Sequence, residues 1–126
     1  MDADSVPRKE WFEPRVGGDM SSNPFLPQGN GLAVNASTTS SGAAMAPSSS
    51  IVVTNRSLTS PAWVTWSAVS MPNAVFPTAG DPTGQLGMEI PPGAQVSIGV
   101  NGGNAFVAGV LLSGTGIITF VPGDGV

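Results

Sequence analysis

Residues 105–126 have the sequence AFVAGVLLSGTGIITFVPGDGV. This stretch contains two apolar runs, Ala105 to Leu112 and Ile117 to Val121, separated by Ser113-Gly114-Thr115-Gly116, a composition typical of a tight turn. The pattern predicts a β-hairpin. Half-buried strands alternate apolar and polar residues, but both faces of the first run are apolar. One face can enter the protein's own core, and the second face needs another cover.

Charge is scarce in this chain and is concentrated near its N-terminus. Charged residues make up 10% of the 126 residues, against about 25% in ordinary proteins. Only Arg56, Asp81, Glu89 and Asp124 follow residue 19. A nearly neutral surface favours a protein that is covered by a partner. The net charge of −4 and the shortage of cations argue against a nucleic-acid partner.

Several function classes lack the residues that they need. The chain has no Cys, His or Tyr, which excludes disulfides, thiolate metal sites and histidine bases. Asp81, Glu89 and Asp124 lie in separate segments, so no carboxylate pair is placed for acid–base catalysis. We therefore expect a non-enzymatic protein without a metal or cofactor. We also expect no membrane partner, because the sequence shows neither a signal-peptide pattern nor an apolar run of spanning length.

The first 48 residues are predicted to form an extended arm and linker. Proline and glycine interrupt each candidate helix or strand, and a Ser/Thr/Ala-rich segment follows from Ala36 to Ser50. Apolar residues nevertheless recur along this segment. Because a disordered tail gains nothing from exposed apolar side chains, we interpret them as anchors that dock on a partner. These anchors are Trp11, Phe12, Phe25, Leu26, Leu32 and Val34.

Residues 49–126 are predicted to form the folded domain. Residues 70–85 contain three prolines and are predicted to be a long loop. Trp66 is expected in the core, with Trp63 on the opposite face of its strand. The resulting fold class is all-β, a small antiparallel β-sandwich of jelly-roll or Ig-like type with a long extended N-terminal arm. The predicted strands before the hairpin are Ile51–Asn55, Ala62–Val69, Leu86–Ile90 and Gln95–Val100.

The excess apolar face of the terminal stretch is interpreted as an oligomer interface, with the second sheet and the returning arm as the alternative covers. A domain of about 76 residues without disulfides or metal lies near the size where a core supplies only a few kcal/mol, and oligomerisation is a common supplement. We expect a homo-oligomer, with a trimer favoured. The predicted interface residues are Val107, Leu111, Ile117 and Val121. Trp63 has two interpretations, a surface contact that stacks on a sugar and a half-buried packing residue, and the second is favoured.

Several short motifs suggest a family. They are a Val-Thr-Asn strand end, a Trp-containing strand, a Pro-Pro-Gly turn and a closing Gly-Ile-Ile-Thr-Phe-Val-Pro-Gly-Asp-Gly-Val. Over about Ile51 to Val126 this order resembles small β-sandwich virion proteins of tailed bacteriophages. The resemblance implies a structural role on the virion capsid surface, as a head decoration (cement) protein or a head-fibre base. It also implies the major capsid protein as partner, and no catalytic residue.

Two alternatives stay open. One is a carbohydrate-binding or adhesin module in which Trp63 and the loop of residues 70–85 face a glycan. The other is a tail or head–tail connector component, which no residue of the sequence excludes.

Overall fold

The computed structural model describes residues 25–81, 84 and 86–124. All regular secondary structure in these residues is β, in seven strands that form one antiparallel sheet. The prediction of an all-β antiparallel fold is confirmed. The strands are β1 (Leu26–Pro27), β2 (Leu32–Ala36), β3 (Ser41–Asn55), β4 (Ala62–Ser67), β5 (Met88–Ile90), β6 (Gln95–Leu111) and β7 (Gly116–Asp124).

Two long strands give the sheet its curl. β3 and β6 contain 15 and 17 residues. They pair with each other from Ser41 opposite Gly109 to Thr54 opposite Gln95, with register shifts on both sides of Ser48. Extra residues in one strand of a pair bend that strand and increase its twist. The sheet therefore curls into a half-barrel around a central core.

The bend divides the sheet into two halves. In the first half, the C-terminal part of β6 lies between β4 and the N-terminal part of β3, and β5 pairs with β4. In the second half, the C-terminal part of β3 lies between β7 and the N-terminal part of β6. β1 and β2 pair with the other edge of β7. Both halves contribute their inner faces to one core.

The core is formed by alternate residues of these strands. Trp66 packs against it, as predicted, whereas Trp63 belongs to a smaller cluster on the opposite face of β4. The alternation within residues 51–55 and 95–100 thus predicted the inward positions there correctly. The similar alternation of Leu86, Met88 and Ile90 does not hold, because only Ile90 is buried and Leu86 and Met88 are 65% and 40% exposed. The buried core residues are Val34, Ala36, Met45, Ile51, Val53, Ala62, Val64, Ile90, Ile98, Val107, Leu111, Ile118 and Phe120.

The last two strands do not form the predicted hairpin. In the described part of the chain, β6 pairs with β3 and β4, while β7 pairs with β1, β2 and β3. Residues 112–115 instead carry the chain across the core. A Cβ on Gly109 of β6 would lie 2.6 Å from Ile118 Cδ1 of β7, so these strands face each other through side chains. We call this arrangement the terminal arch. The arch can form because each of its two strands has an apolar face that can be buried against the other.

The predicted boundary between arm and domain also needs correction, because residue 48 lies inside β3. β1 and β2 pair with β7, and residues 41–48 pair with β6. Small Ser, Thr and Ala side chains indicate a linker by composition, but here neighbouring strands supply backbone hydrogen bonds and stabilise an extended strand. Residues 25–48 therefore belong to the domain, and residues 1–24 of the predicted arm lie outside the described residues.

Candidate interaction surfaces

Each half of the sheet has an outer face that points away from the core. Directly opposed residues in antiparallel strands place their side chains on the same face, so the strand register assigns the residues of each face. We call the outer face of the second half the uncharged face, because no Asp, Glu, Lys or Arg lies in its opposed rows. Its residues are Ala33, Asn35, Val52, Thr54, Gln95, Ser97, Ile117, Thr119 and Val121.

The outer face of the first half is covered by residues 70–78, which we call the strap. Ala74 of the strap is 2% exposed and packs with Ala108 and Val110 of β6. The Ala74 backbone amide donates a hydrogen bond to Ser40 Oγ over 2.8 Å. The strap therefore covers the second apolar face of β6. The sequence alone did not show which segment would cover this face.

Trp63 lies at the edge of the strap. Its ring and that of Phe76 have centroids 6.2 Å apart and planes inclined by 49°. Trp63 Nε1 is buried without a hydrogen-bond partner among the described residues, and a side chain on Gly87 would collide with it. These contacts favour packing over sugar stacking as the role of Trp63, because stacking on a sugar requires an open ring face.

The four residues predicted to form the oligomer interface separate into two pairs. Val107 and Leu111 are 0% and 1% exposed and lie in the core. Their assignment to an interface is corrected, because side chains buried within one chain cannot contact a second subunit. Ile117 and Val121 lie on the uncharged face and are partly exposed. A partner can contact this second pair without disturbing the core.

The predicted anchors also occupy different environments. Trp11 and Phe12 lie outside the described residues. Val34 is buried in the core, so its assignment as a partner anchor is corrected as well. Leu32 packs against the core but is only partly buried, and its role as an anchor stays a prediction. Leu26 is 57% exposed on β1 and remains available to a partner.

Phe25 lies against the end of the uncharged face. Gly123 is opposite Ser50, one row beyond the opposed pair Val52 and Val121. A side chain on Gly123 would collide with the Phe25 ring. Glycine permits this close approach of the ring to the strand because it has no Cβ. Residues 1–24 therefore join the domain beside this face.

The charged residues nearest the uncharged face lie at its two ends. The Arg56 amide donates a hydrogen bond to Ile117 O over 2.9 Å, and Arg56 itself is exposed. At the opposite end, Ser49 Oγ donates to Asp124 Oδ1 over 2.6 Å. Within the described ranges, no cluster of acidic, His or Cys residues is suited to hold a metal ion. The chemistry of this face is therefore that of a neutral contact surface.

Asn55 is a buried polar residue whose role sequence reasoning missed. Its side chain is 0% exposed, and its Nδ2 donates hydrogen bonds to Ser60 O (2.8 Å) and Ile90 O (3.1 Å). Its Oδ1 accepts a hydrogen bond from Ser57 N over 3.0 Å. Asn55 thereby ties the end of β3 to the following loop and to β5. The available signal was an Asn at the end of a strand, where its side chain readily bonds to a turn.

Comparison with known proteins identifies no relative. The chain matches no family model, no curated protein and no solved structure. No helix among the described residues is long and apolar enough to cross a membrane.

Proposed function

We propose that this protein is a non-enzymatic structural protein of a tailed-bacteriophage virion, a capsid decoration (cement) protein. It binds the head and stabilises it through residues 1–24, here called the arm, and through the uncharged face. Its partners are the major capsid protein and further copies of the same chain, with a trimer favoured. One observation carries the proposal. Apolar residues Val52, Ile117 and Val121 form part of a face without charge, beside the point where the arm joins the domain.

The size of the uncharged face supports a role shared with the arm. Four strands spaced about 4.8 Å apart, over about 20 Å of strand length, give a footprint of roughly 300 Å². A stable interface commonly buries about 800 Å² per partner. The face alone therefore supports only weak association. An arm with its own apolar residues adds contact area, and many copies on a regular shell add avidity.

The composition of the face supports a contact made by close fit. Val52, Thr54, Ile117, Thr119 and Val121 are all β-branched, and β-branched side chains have few rotamers to lose on binding. With no charged side chain in the opposed rows, two such surfaces can approach without electrostatic repulsion. We expect binding that depends little on ionic strength, because screening acts on charges.

Deletion of residues 1–24 tests the arm. This deletion removes none of the described strands, whereas a deletion to residue 48 would remove β1, β2 and half of β3. The truncated protein is expected to keep its β circular dichroism and to lose co-sedimentation with phage heads that lack their decoration protein. A truncated protein that binds heads at the occupancy of the full-length chain would contradict the role of the arm.

Val121→Asp tests the uncharged face. Val121 is partly exposed, so the domain is expected to stay folded while the charge opposes contact with a neutral partner. The expected loss of self-association is about tenfold, equivalent to roughly 1.4 kcal/mol, measured by analytical ultracentrifugation. Val121→Thr, which keeps the β-branched shape, is the matched control. An oligomer that Val121→Asp leaves unchanged would refute the proposed interface.

A second function, a carbohydrate-binding or adhesin module, is favoured by one observation. A groove beside the strap combines hydroxyl and amide side chains with an apolar wall, a mixture typical of sites for neutral ligands. Thr38, Ser40 and Asn73 contribute its polar part, and Val75 and Leu112 contribute its apolar part. A glycan array with the wild type and Asn73→Ala separates the two functions, since only the adhesin predicts specific binding that depends on Asn73.

A tail or connector location is distinguished by stoichiometry. A decoration protein covers a repeating shell and is present in many copies for each particle, whereas a connector forms one ring at a single vertex. Quantitative mass spectrometry of purified particles measures this copy number. A copy number matching a single ring would assign the protein to the connector instead of the head surface.

A further inference from the structure

We propose that, in the free protein at low concentration, Trp11 and Phe12 dock on the uncharged face of their own chain. The docking itself does not depend on a role in a virion. Its consequence for assembly rests on the proposed function. Trp11, Phe12 and the uncharged face would then be unavailable to other partners until a capsid binds both the aromatic pair and the face.

The uncharged face offers apolar contact that no described segment covers. Val52 and Val121 are directly opposed and partly exposed. Ile117 lies on the same face, farther along β7. Aromatic side chains pack favourably on β-branched residues that stand on a sheet. A short segment with two aromatic rings is therefore a suitable cover for this face.

The position and length of the arm place the aromatic pair within reach. Phe25 already lies against Gly123 at one end of the face. From Gly123 to Ile117 along β7 the distance is about 20 Å. Trp11 lies fourteen positions before Phe25 in the sequence, and fourteen residues reach at most about 46–50 Å when fully extended. The aromatic pair is therefore within reach of the whole face, and its attachment to the same chain raises its effective concentration, so that weak contacts suffice.

The area of the face favours the same chain over a second copy. A footprint of roughly 300 Å² is well below the area that usually sustains a stable interface between separate chains. Two separate chains also lose translational and rotational freedom when they associate. A tethered segment has already lost most of that freedom. Self-docking is therefore the expected state at low protein concentration, before a multivalent shell is present.

Paramagnetic broadening in the full-length protein tests the docking. The chain has no natural cysteine, so Val16→Cys provides a single attachment point for a spin label close to the aromatic pair. The amide signals of Val52, Ile117 and Val121 are expected to lose most of their intensity. The amide signal of Val64, in the core of the first half, is expected to keep its intensity. The double variant Trp11→Ala, Phe12→Ala should restore the lost signals. Broadening that is absent, or that persists in the double variant, would overturn the proposal.

One further measurement decides the occupant. At low protein concentration, a mixture of isotope-labelled chains without the spin label and unlabelled chains that carry it should show no broadening. Loss of signal in this mixture would assign the docking to a second copy and overturn the proposal for the same chain. All these outcomes are independent of binding to phage heads.

Discussion

Replacement of Asn55 tests how the end of β3 is held. Asn55 is fully buried, and its side chain makes hydrogen bonds to Ser57 N, Ser60 O and Ile90 O over 3.0, 2.8 and 3.1 Å. Asn55→Ala removes these three bonds, together with a longer one from Nδ2 to Pro91 O (3.4 Å), and leaves the buried groups without these partners. Each hydrogen bond contributes about 1 kcal/mol net, and a buried group left unsatisfied costs about 1–3 kcal/mol. We expect a loss of roughly 3 kcal/mol or more.

A loss of that size is a large fraction of the stability of a small domain, which is about 5–15 kcal/mol. It is measured by urea unfolding followed by circular dichroism. The midpoint should fall while the slope stays constant, because the amount of surface exposed on unfolding does not change. Asn35→Ala, at an exposed position on β2, is the matched control, and its expected effect is within about 0.5 kcal/mol.

Asn55→Asp separates the donor role of Asn55 from its acceptor role. The carboxylate keeps an acceptor for Ser57 N but turns a charged oxygen toward the carbonyls of Ser60 and Ile90. We expect this variant to be less stable than Asn55→Ala, because a buried charge without a partner is costly. An aspartate variant as stable as the wild type, or a loss below about 1 kcal/mol for the alanine variant, would refute this account of the site.

Three further substitutions test the core, the terminal arch and the strap. Leu111→Asp should unfold the domain, because it buries a charge in the core, and a variant with native circular dichroism would contradict the burial. Gly109→Val should cost about 1–3 kcal/mol through overpacking against Ile118, and an unchanged urea midpoint would argue against the arch. Phe76→Ala should cost roughly 1–2 kcal/mol, since Phe76 is only partly buried, and should shift Trp63 emission to longer wavelength. Unchanged emission would contradict the strap contact.

Predictions from sequence succeeded where the signal was local. The alternation of Ile51 and Val53 in β3, and of Ile98 in β6, indicated inward positions that the structure confirms. Alternation follows from the pleat of a single strand, so it does not depend on the identity of the neighbouring strands. Trp66 in the core and Trp63 on the opposite face follow from the same rule.

The candidate surface could be predicted only in part. Ile117 and Val121 lie on the uncharged face, but Val107 and Leu111 lie in the core. When both faces of a strand are apolar, composition does not distinguish the inner face from the outer one. The strap resolves this ambiguity in the folded chain, and the packing of Ala74 on β6 depends on a contact between segments far apart in sequence.

The sequence by itself determined the all-β class, the inward positions within residues 51–55 and 95–100, and the near absence of charge after residue 19. These properties depend on composition and on the order of neighbouring side chains. Only the tertiary structure decided that β6 and β7 form an arch instead of a hairpin, and that residues 25–48 join the sheet. The reason is physical. Every strand edge presents the same backbone donors and acceptors, so the choice of partner is made by side-chain packing between distant segments.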